Sequence, residues 1–222
     1  MDLKFFYLTL QAVSRIPQDP ERIRGFFASQ FNDNELLPQR RGIDLSYQYP
    51  IVQFRILEDK ALLIGIGEGA DFLNAMYGDT RRIKIGTIDY EITQRSTQVE
   101  RCPFGISDQI HSYTFLTPWI ALNQDNFREY QSMTTPERKE RLQTILTGNI
   151  LSVAKGLDIH VEGQITVEFT TISTTPRRLK GTGLIGFTGD FTVNFDIPQY
   201  MGLGKSVFRG FGAVEKITPV EL

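Results

Sequence analysis

The apolar residues of this chain run through the same order twice, and that repetition limits the folds open to it more than any single motif does. In the first half, Met1 to Val13 reads as a buried strand. Asp19-Pro20-Glu21 then opens a helix with a side-chain cap, a proline whose missing N–H costs nothing there, and an acid favourable to the helix dipole. Ile23, Phe26, Phe27 and Phe31 follow at helical spacing. Tyr47 to Leu57 and Lys60 to Ile66 are β-rich runs joined by Glu58-Asp59, Glu68 to Tyr77 is a short helical pattern, and Arg81 to Thr93 alternates around Gly86-Thr87 as a further hairpin. In the second half, Ser112 to Leu116 reads as a strand. Thr134-Thr135-Pro136-Glu137 starts a long helix that carries Leu142, Ile145, Leu146, Val153 and Ala154 and ends at Gly156. Ile159 to Ile172 and Leu184 to Ile197 alternate as strands, and the Gly-rich stretch Gly202 to Gly212 stands where a second helix would be, before a last strand ending near Ile217. An α+β architecture of two tandem ferredoxin-like, RRM-like units accounts for both halves.

Between the halves, Gln94 to Gln109 loses periodicity and contains Cys102-Pro103-Phe104-Gly105, which predicts a linker or long loop and domains spanning 1–108 and 109–222. Charge constrains the partners. With 24 Lys and Arg against 26 Asp and Glu, the net charge of −2 gives no global basic field, so a nucleic acid must be held by a local patch. The lone Cys102 can neither close an intramolecular disulfide nor complete a zinc site by itself, and suits a reducing compartment, with cytoplasm the expected location. The apolar run at the start is short, has an acid near its front and lacks a small-residue cleavage site, so it reads as a strand rather than a signal peptide. No stretch approaches the roughly 18 apolar residues of a bilayer span, and no membrane partner is expected.

The most unusual stretch is Met201-Gly-Leu-Gly-Lys-Ser-Val-Phe-Arg-Gly-Phe-Gly212. Its Gly-Lys-Ser invites a nucleotide-binding P-loop reading, which fails: Gln199 stands where that loop needs glycine, and Val207 to Phe211 reads as strand where it needs a helix. The glycines Gly202, Gly204, Gly210 and Gly212 permit positive φ and close backbone approach, exposing N–H groups to a phosphate chain beside Lys205, Ser206 and Arg209. A tight turn with surface charges is the other reading. Arg177-Arg178-Leu179-Lys180 is a second basic cluster, and from Pro176 to Gly212 five basic residues face only Asp190 and Asp196. For catalysis the inventory is thin. His111 and His160 have no carboxylates or cysteines at metal-ligand spacing, so each reads as a structural or surface residue and neither a metal nor another cofactor is expected.

Together, Tyr49-Pro-Ile-Val-Gln-Phe, Ala61-Leu-Leu-Ile-Gly-Ile-Gly-Glu-Gly-Ala70, Phe115-Leu-Thr-Pro-Trp-Ile-Ala-Leu-Asn123, Gly148-Asn-Ile-Leu-Ser-Val-Ala-Lys-Gly156 and Gly202 to Gly212 resemble the CRISPR-associated repeat-RNA endoribonucleases, in the order that family has them. The Gly-Leu-Gly-Lys-Ser and Arg-Gly-Phe-Gly segments are similar to the Gly-rich signature of repeat-associated RNA-binding proteins. The resemblance implies two tandem ferredoxin-like domains that bind a CRISPR repeat transcript and cut it without metal. In that reaction the 2′-hydroxyl attacks the adjacent phosphate, leaving a 2′,3′-cyclic phosphate and a 5′-hydroxyl. Relatives place a His in the loop after the first helix, and here that loop, Asn34 to Ser46, has none. By resemblance, Arg40, Arg41, Tyr47 and Lys180 are left as the catalytic set, with Arg40 or Arg41 on the phosphorane and Tyr47 orienting the 2′-hydroxyl. The RNA-binding set is Gly202, Gly204, Lys205, Ser206, Arg209, Gly210 and Gly212 with Arg177 and Arg178. A non-catalytic repeat-RNA-binding protein of the same fold is the alternative. The residues leave open a monomer or a homodimer, and whether a larger interference complex joins the RNA as partner.

Overall fold

The computed structural model describes residues 1–16, 49–76, 81–85, 87–179 and 182–218. The expected first helix, from Asp19 through Phe31, and the residues Arg40, Arg41, Tyr47 and Lys180 lie outside the described residues. Contacts along the chain define two compact units, one of residues 1–102 with Phe208–Gly210, the other of 103–207 with the residues from Phe211 onward.

In the first unit, β1 (Asp2–Ala12) lies antiparallel to β3 (Lys60–Ile66), with Leu8 opposite Leu63, and β3 pairs in turn with β2 (Val52–Leu57). Glu58 and Asp59 join β2 to β3 with φ of 49° and 63°, the left-handed pair that a tight hairpin of this hand requires. After β3 comes α1 (Glu68–Met76), and then β4 (Arg82–Ile85) and β5 (Ile88–Pro103) form the expected hairpin, with Ile83 opposite Tyr90. The sheet order is β2-β3-β1-β5-β4. Phe6, Leu8, Leu10, Val52, Phe54, Leu63, Ala70 and Leu73 make one continuous core, because alternate residues of each strand share a face and α1 covers it. Gln53 and Arg55, on the alternate positions of β2, are also fully buried. Burial lowers the Arg55 guanidinium to about 10, and it donates to the Phe54 carbonyl and the Gln53 amide oxygen.

The second unit begins with β6 (Gly105–Phe115), continues through α2 (Gln124–Ser132) and α3 (Thr135–Gly156), and adds β7 (Val167–Phe169), β8 (Ser173–Leu179), β9 (Thr182–Thr188), β10 (Asp190–Asp196) and β11 (Val214–Lys216). The α3 start is the expected one: the Thr134 N–H donates to Glu137 Oε2 at 2.7 Å, and hydrogen bonds from Thr134 hold the Glu137 carboxyl below its ordinary range. Leu142, Leu146, Ile150, Val153 and Ala154 are its buried face. The sheet order is β11-β6-β10-β7, and β8 and β9 form a separate two-stranded sheet. In both four-strand sets, with β4 as an addition outside β5, the order reads second, third, first, last. That is the split β-α-β arrangement of tandem ferredoxin-like units.

Three local expectations are corrected. Gln94 to Gln109 is not a loop: it lies in β5 and β6, interrupted only at Phe104. Most β5 residues there are exposed, so no apolar alternation marks the strand, and β6 carries a bulge where the register jumps from Val193↔His111 to Phe195↔Ile106. Ile159 to Ile172 yields a strand only at Val167–Phe169, because the Asn194 side chain, not a ladder partner, accepts from Thr166 N and donates to Gln164 O. Leu184 to Ile197 is split at Gly189, which sends β9 to β8 and leaves β10 in the main sheet. Among the described residues no helix is long and apolar enough to cross a membrane.

Candidate nucleic-acid interface

Three stretches far apart in sequence meet around Trp119 in the second unit. The residue is fully buried, and its ring stacks on Phe115 with centroids 5.4 Å apart and planes 4° from parallel. Its indole N–H donates to Asn149 Oδ1 on α3 at 2.9 Å. Its backbone bridges the base of the β8–β9 hairpin, where Trp119 N donates to Phe187 O at 2.7 Å and Phe187 N to Trp119 O at 2.8 Å. The same segment ties down the Gly-rich stretch. Lys205 N donates to Ile120 O, Gly212 N to Pro118 O, Leu116 N to Ala213 O, and Ala213 N to Thr117 Oγ1. Leu203 N to Gly212 O at 2.9 Å closes the loop on itself.

This geometry gives two of the glycines a reason the sequence did not show. Gly204 has φ of 88°, and a Cβ there would stand 2.6 Å from Trp119 Nε1; Gly212 has φ of 69°, and a Cβ there would stand 1.9 Å from the Leu203 carbonyl oxygen. Room for phosphate approach was the expectation, whereas at these two positions the space is taken by the protein itself. Val207 to Phe211 is not the expected strand: Val207–Arg209 is a 3₁₀ turn, and Ser206 and Gly210 on either side have φ of 60° and 91°. What the loop presents outward is Lys205, exposed, with Ser206 half-buried; Gly202, Gly210 and Gly212 are buried. Arg209, half-buried, carries its guanidinium 5.1 Å over the Phe208 ring.

The second basic cluster sits on the hairpin whose base Trp119 holds: Arg177 lies opposite Leu184 and Arg178 opposite Gly183. Of the expected binding set, the second unit therefore brings Gly202, Gly204, Lys205, Ser206 and Gly212 into one hydrogen-bonded loop, and the Trp119 backbone also holds the base of the hairpin that carries Arg177 and Arg178. The histidines are placed apart from it. His111 Nε2 lies 3.0 Å from Ser107 Oγ and 3.1 Å from Asp196 Oδ1 at the β6 bulge, and His160 is exposed after α3, outside any strand. Sequence reasoning missed Asn149 as a partner of Trp119, the whole of α2, and the buried Arg55, whose only signal was a charge inside an apolar strand.

The Cas6b C-terminal domain family matches residues 105–217, and the Cas6b N-terminal domain family matches residues 1–102. The chain belongs to the Cas6b family. A solved Cas6b structure is 35% identical, with a TM-score of 0.89 over 98% of this chain and 100% of that one. Another, described as a CRISPR RNA processing endoribonuclease Cas6b, is 33% identical with a TM-score of 0.76 over the same shares. An uncharacterized protein of Methanocaldococcus jannaschii is 39% identical over 128 residues, 58% of this chain and 87% of that protein. In this Cas6b chain, Trp119→Phe keeps the ring stack but strands Asn149 Oδ1. It is expected to cost about 1–3 kcal/mol, read as a lower urea midpoint with an unchanged slope.

Proposed function

We propose that this Cas6b chain binds a CRISPR repeat transcript and cuts it into guide RNAs by attack of a 2′-hydroxyl on the adjacent phosphate, giving a 2′,3′-cyclic phosphate without a metal ion. The observation that carries the reading is the 33% identity to a described CRISPR RNA processing endoribonuclease across the whole of that chain. The reaction needs an in-line geometry, cationic donors for the phosphorane charge and a group that orients the hydroxyl. Arg40 or Arg41 fills the second role and Tyr47 the third, with Lys180 as a further cation. Lys205 and Arg209 on the Gly-rich loop, with Arg177 and Arg178 on the hairpin, hold the backbone of the RNA.

Because the net charge is −2, affinity rests on these few cations, and their removal is expected to show in the salt dependence. Lys205→Ala and Arg209→Ala should each weaken binding of labelled repeat RNA and shallow the log–log salt slope by about one phosphate's worth. Equal slopes for both variants and wild type at every salt concentration would make the loop structural only. A second reading, a repeat-RNA-binding protein that does not cut, is favoured by the absence of His from Asn34 to Ser46. Incubation of the chain with end-labelled repeat RNA separates the two: one cut supports the nuclease, a stable uncut complex the binder.

A further inference from the structure

Between α2 and β9 the second unit has a cavity of about 280 Å³ that no role above uses. Phe127, Arg128 and Gln131 line it from α2, Asn123 from the cap of that helix, and Leu184 and Ile185 from β9. Leu184 is the residue opposite Arg177 in the hairpin, so the cavity adjoins the backbone of the basic cluster. Resting on the RNA-binding reading, we infer that this cavity receives one unstacked base of the RNA that the hairpin holds.

The lining has the chemistry of a single-base site. Phe127 is a half-buried aromatic on a helix otherwise polar outside Tyr130, and a base π-face stacks on such a ring whatever its sequence. Asn123 Oδ1 is already used, accepting from Asn126 N at 2.8 Å, which leaves its amide N–H groups as donors, while Gln131 offers both a donor and an acceptor to a base edge. Arg128 supplies an exposed cation to the lining, 3.8 Å from Asp125. The volume lies at the lower end of small-molecule sites, which suits one nucleotide and excludes a duplex.

The wall is also held rigid. Phe127 stacks on Tyr130 at 5.9 Å, Tyr130 meets Phe187 edge-on at 5.6 Å, and Phe187 packs on Trp119 at 5.9 Å. Arg138 lies 5.4 Å over the Tyr130 ring and donates from Nε to the Tyr130 carbonyl at 3.0 Å. An aromatic column thus runs from the cavity to the residue that anchors the Gly-rich loop, so a base entering the cavity meets a preformed surface and orders little on binding.

The test uses the full chain and a repeat RNA carrying 4-thiouridine at its uridines. Photo-crosslinking followed by mass spectrometry is expected to label a peptide within residues 122–131. Phe127→Ala should weaken binding of the same RNA about tenfold, and Phe127→Trp, which keeps a ring against Tyr130, should restore it, with binding measured well below the thermal midpoint of each variant. Wild-type binding with crosslinks only at the hairpin or the Gly-rich loop, or equal affinity of Phe127→Ala, would overturn the base site and leave the nuclease reading standing. Failure of the wild-type chain to bind the RNA at all would overturn both.

Discussion

Gly212→Ala is expected to lower the unfolding free energy of the second unit by about 2–5 kcal/mol and to remove repeat-RNA binding with it. A left-handed backbone costs an L-residue about 1–2 kcal/mol, and φ here is 69°. The added Cβ would also stand 1.9 Å from the Leu203 carbonyl oxygen, a backbone atom with no rotamer to change, so the loop must open, and overpacking of this kind costs about 1–3 kcal/mol. Opening breaks the Leu203 to Gly212 and Gly212 to Pro118 hydrogen bonds that set the position of Lys205. Gly148→Ala is the control of opposite sign. Gly148 lies within α3 with nothing outside its own helix backbone and chain neighbours within 4 Å of its Cβ position, so alanine there should stabilise by about 1 kcal/mol. Urea midpoints at constant slope measure both, and a Gly212→Ala midpoint equal to wild type would show that the loop closure is not what holds this segment.

Single-turnover cleavage by Arg40→Ala and Arg41→Ala is the second place where a large effect is expected: the more important of the two should lose about 10²–10³ in rate while binding RNA within a few-fold of wild type. That is the usual consequence of removing one donor from a developing oxyanion. Tyr47→Phe should lose rate through misorientation of the nucleophile, again with little change in affinity. The pH dependence follows from the residue types. Arg, Lys and Tyr ionise at about 10 or above in reference peptides, so near neutrality they position and stabilise but do not accept a proton. The rate should therefore climb with pH through the neutral range, and it should do so equally in His111→Ala and His160→Ala. A bell abolished by either histidine change would place the general base outside Asn34 to Ser46.

The fold was legible wherever local chemistry and tertiary packing agreed. The Thr134 to Glu137 capping box, the apolar stripe of α3, the Glu58-Asp59 turn and the β4–β5 hairpin each announce themselves within a few residues, because cap, periodicity and turn conformation are local. β5 beyond Thr93 was illegible because a strand with most residues exposed carries no alternation to read. α2 was missed for the related reason that Tyr130 is its one buried residue. At the candidate site, glycine spacing marked the loop but not its anchor. The Trp119–Asn149 hydrogen bond at 2.9 Å and the Trp119 ring that leaves no room for a Cβ at Gly204 both join residues distant in sequence, and only the folded chain brings them together. The strand expected at Val207 to Phe211 failed because positive φ at Ser206 and Gly210 turns the chain on both sides of a 3₁₀ turn, which apolar content alone does not reveal.

Metal-independent cleavage is tested most directly by the product of one turnover on labelled repeat RNA in the presence of excess chelator, with the termini identified by mass spectrometry. A single cut is expected, with an upstream fragment ending in a 2′,3′-cyclic phosphate and a downstream fragment beginning with a 5′-hydroxyl. Intact RNA after complete binding, or a cut that appears only with divalent metal and leaves a 5′-phosphate, would contradict it.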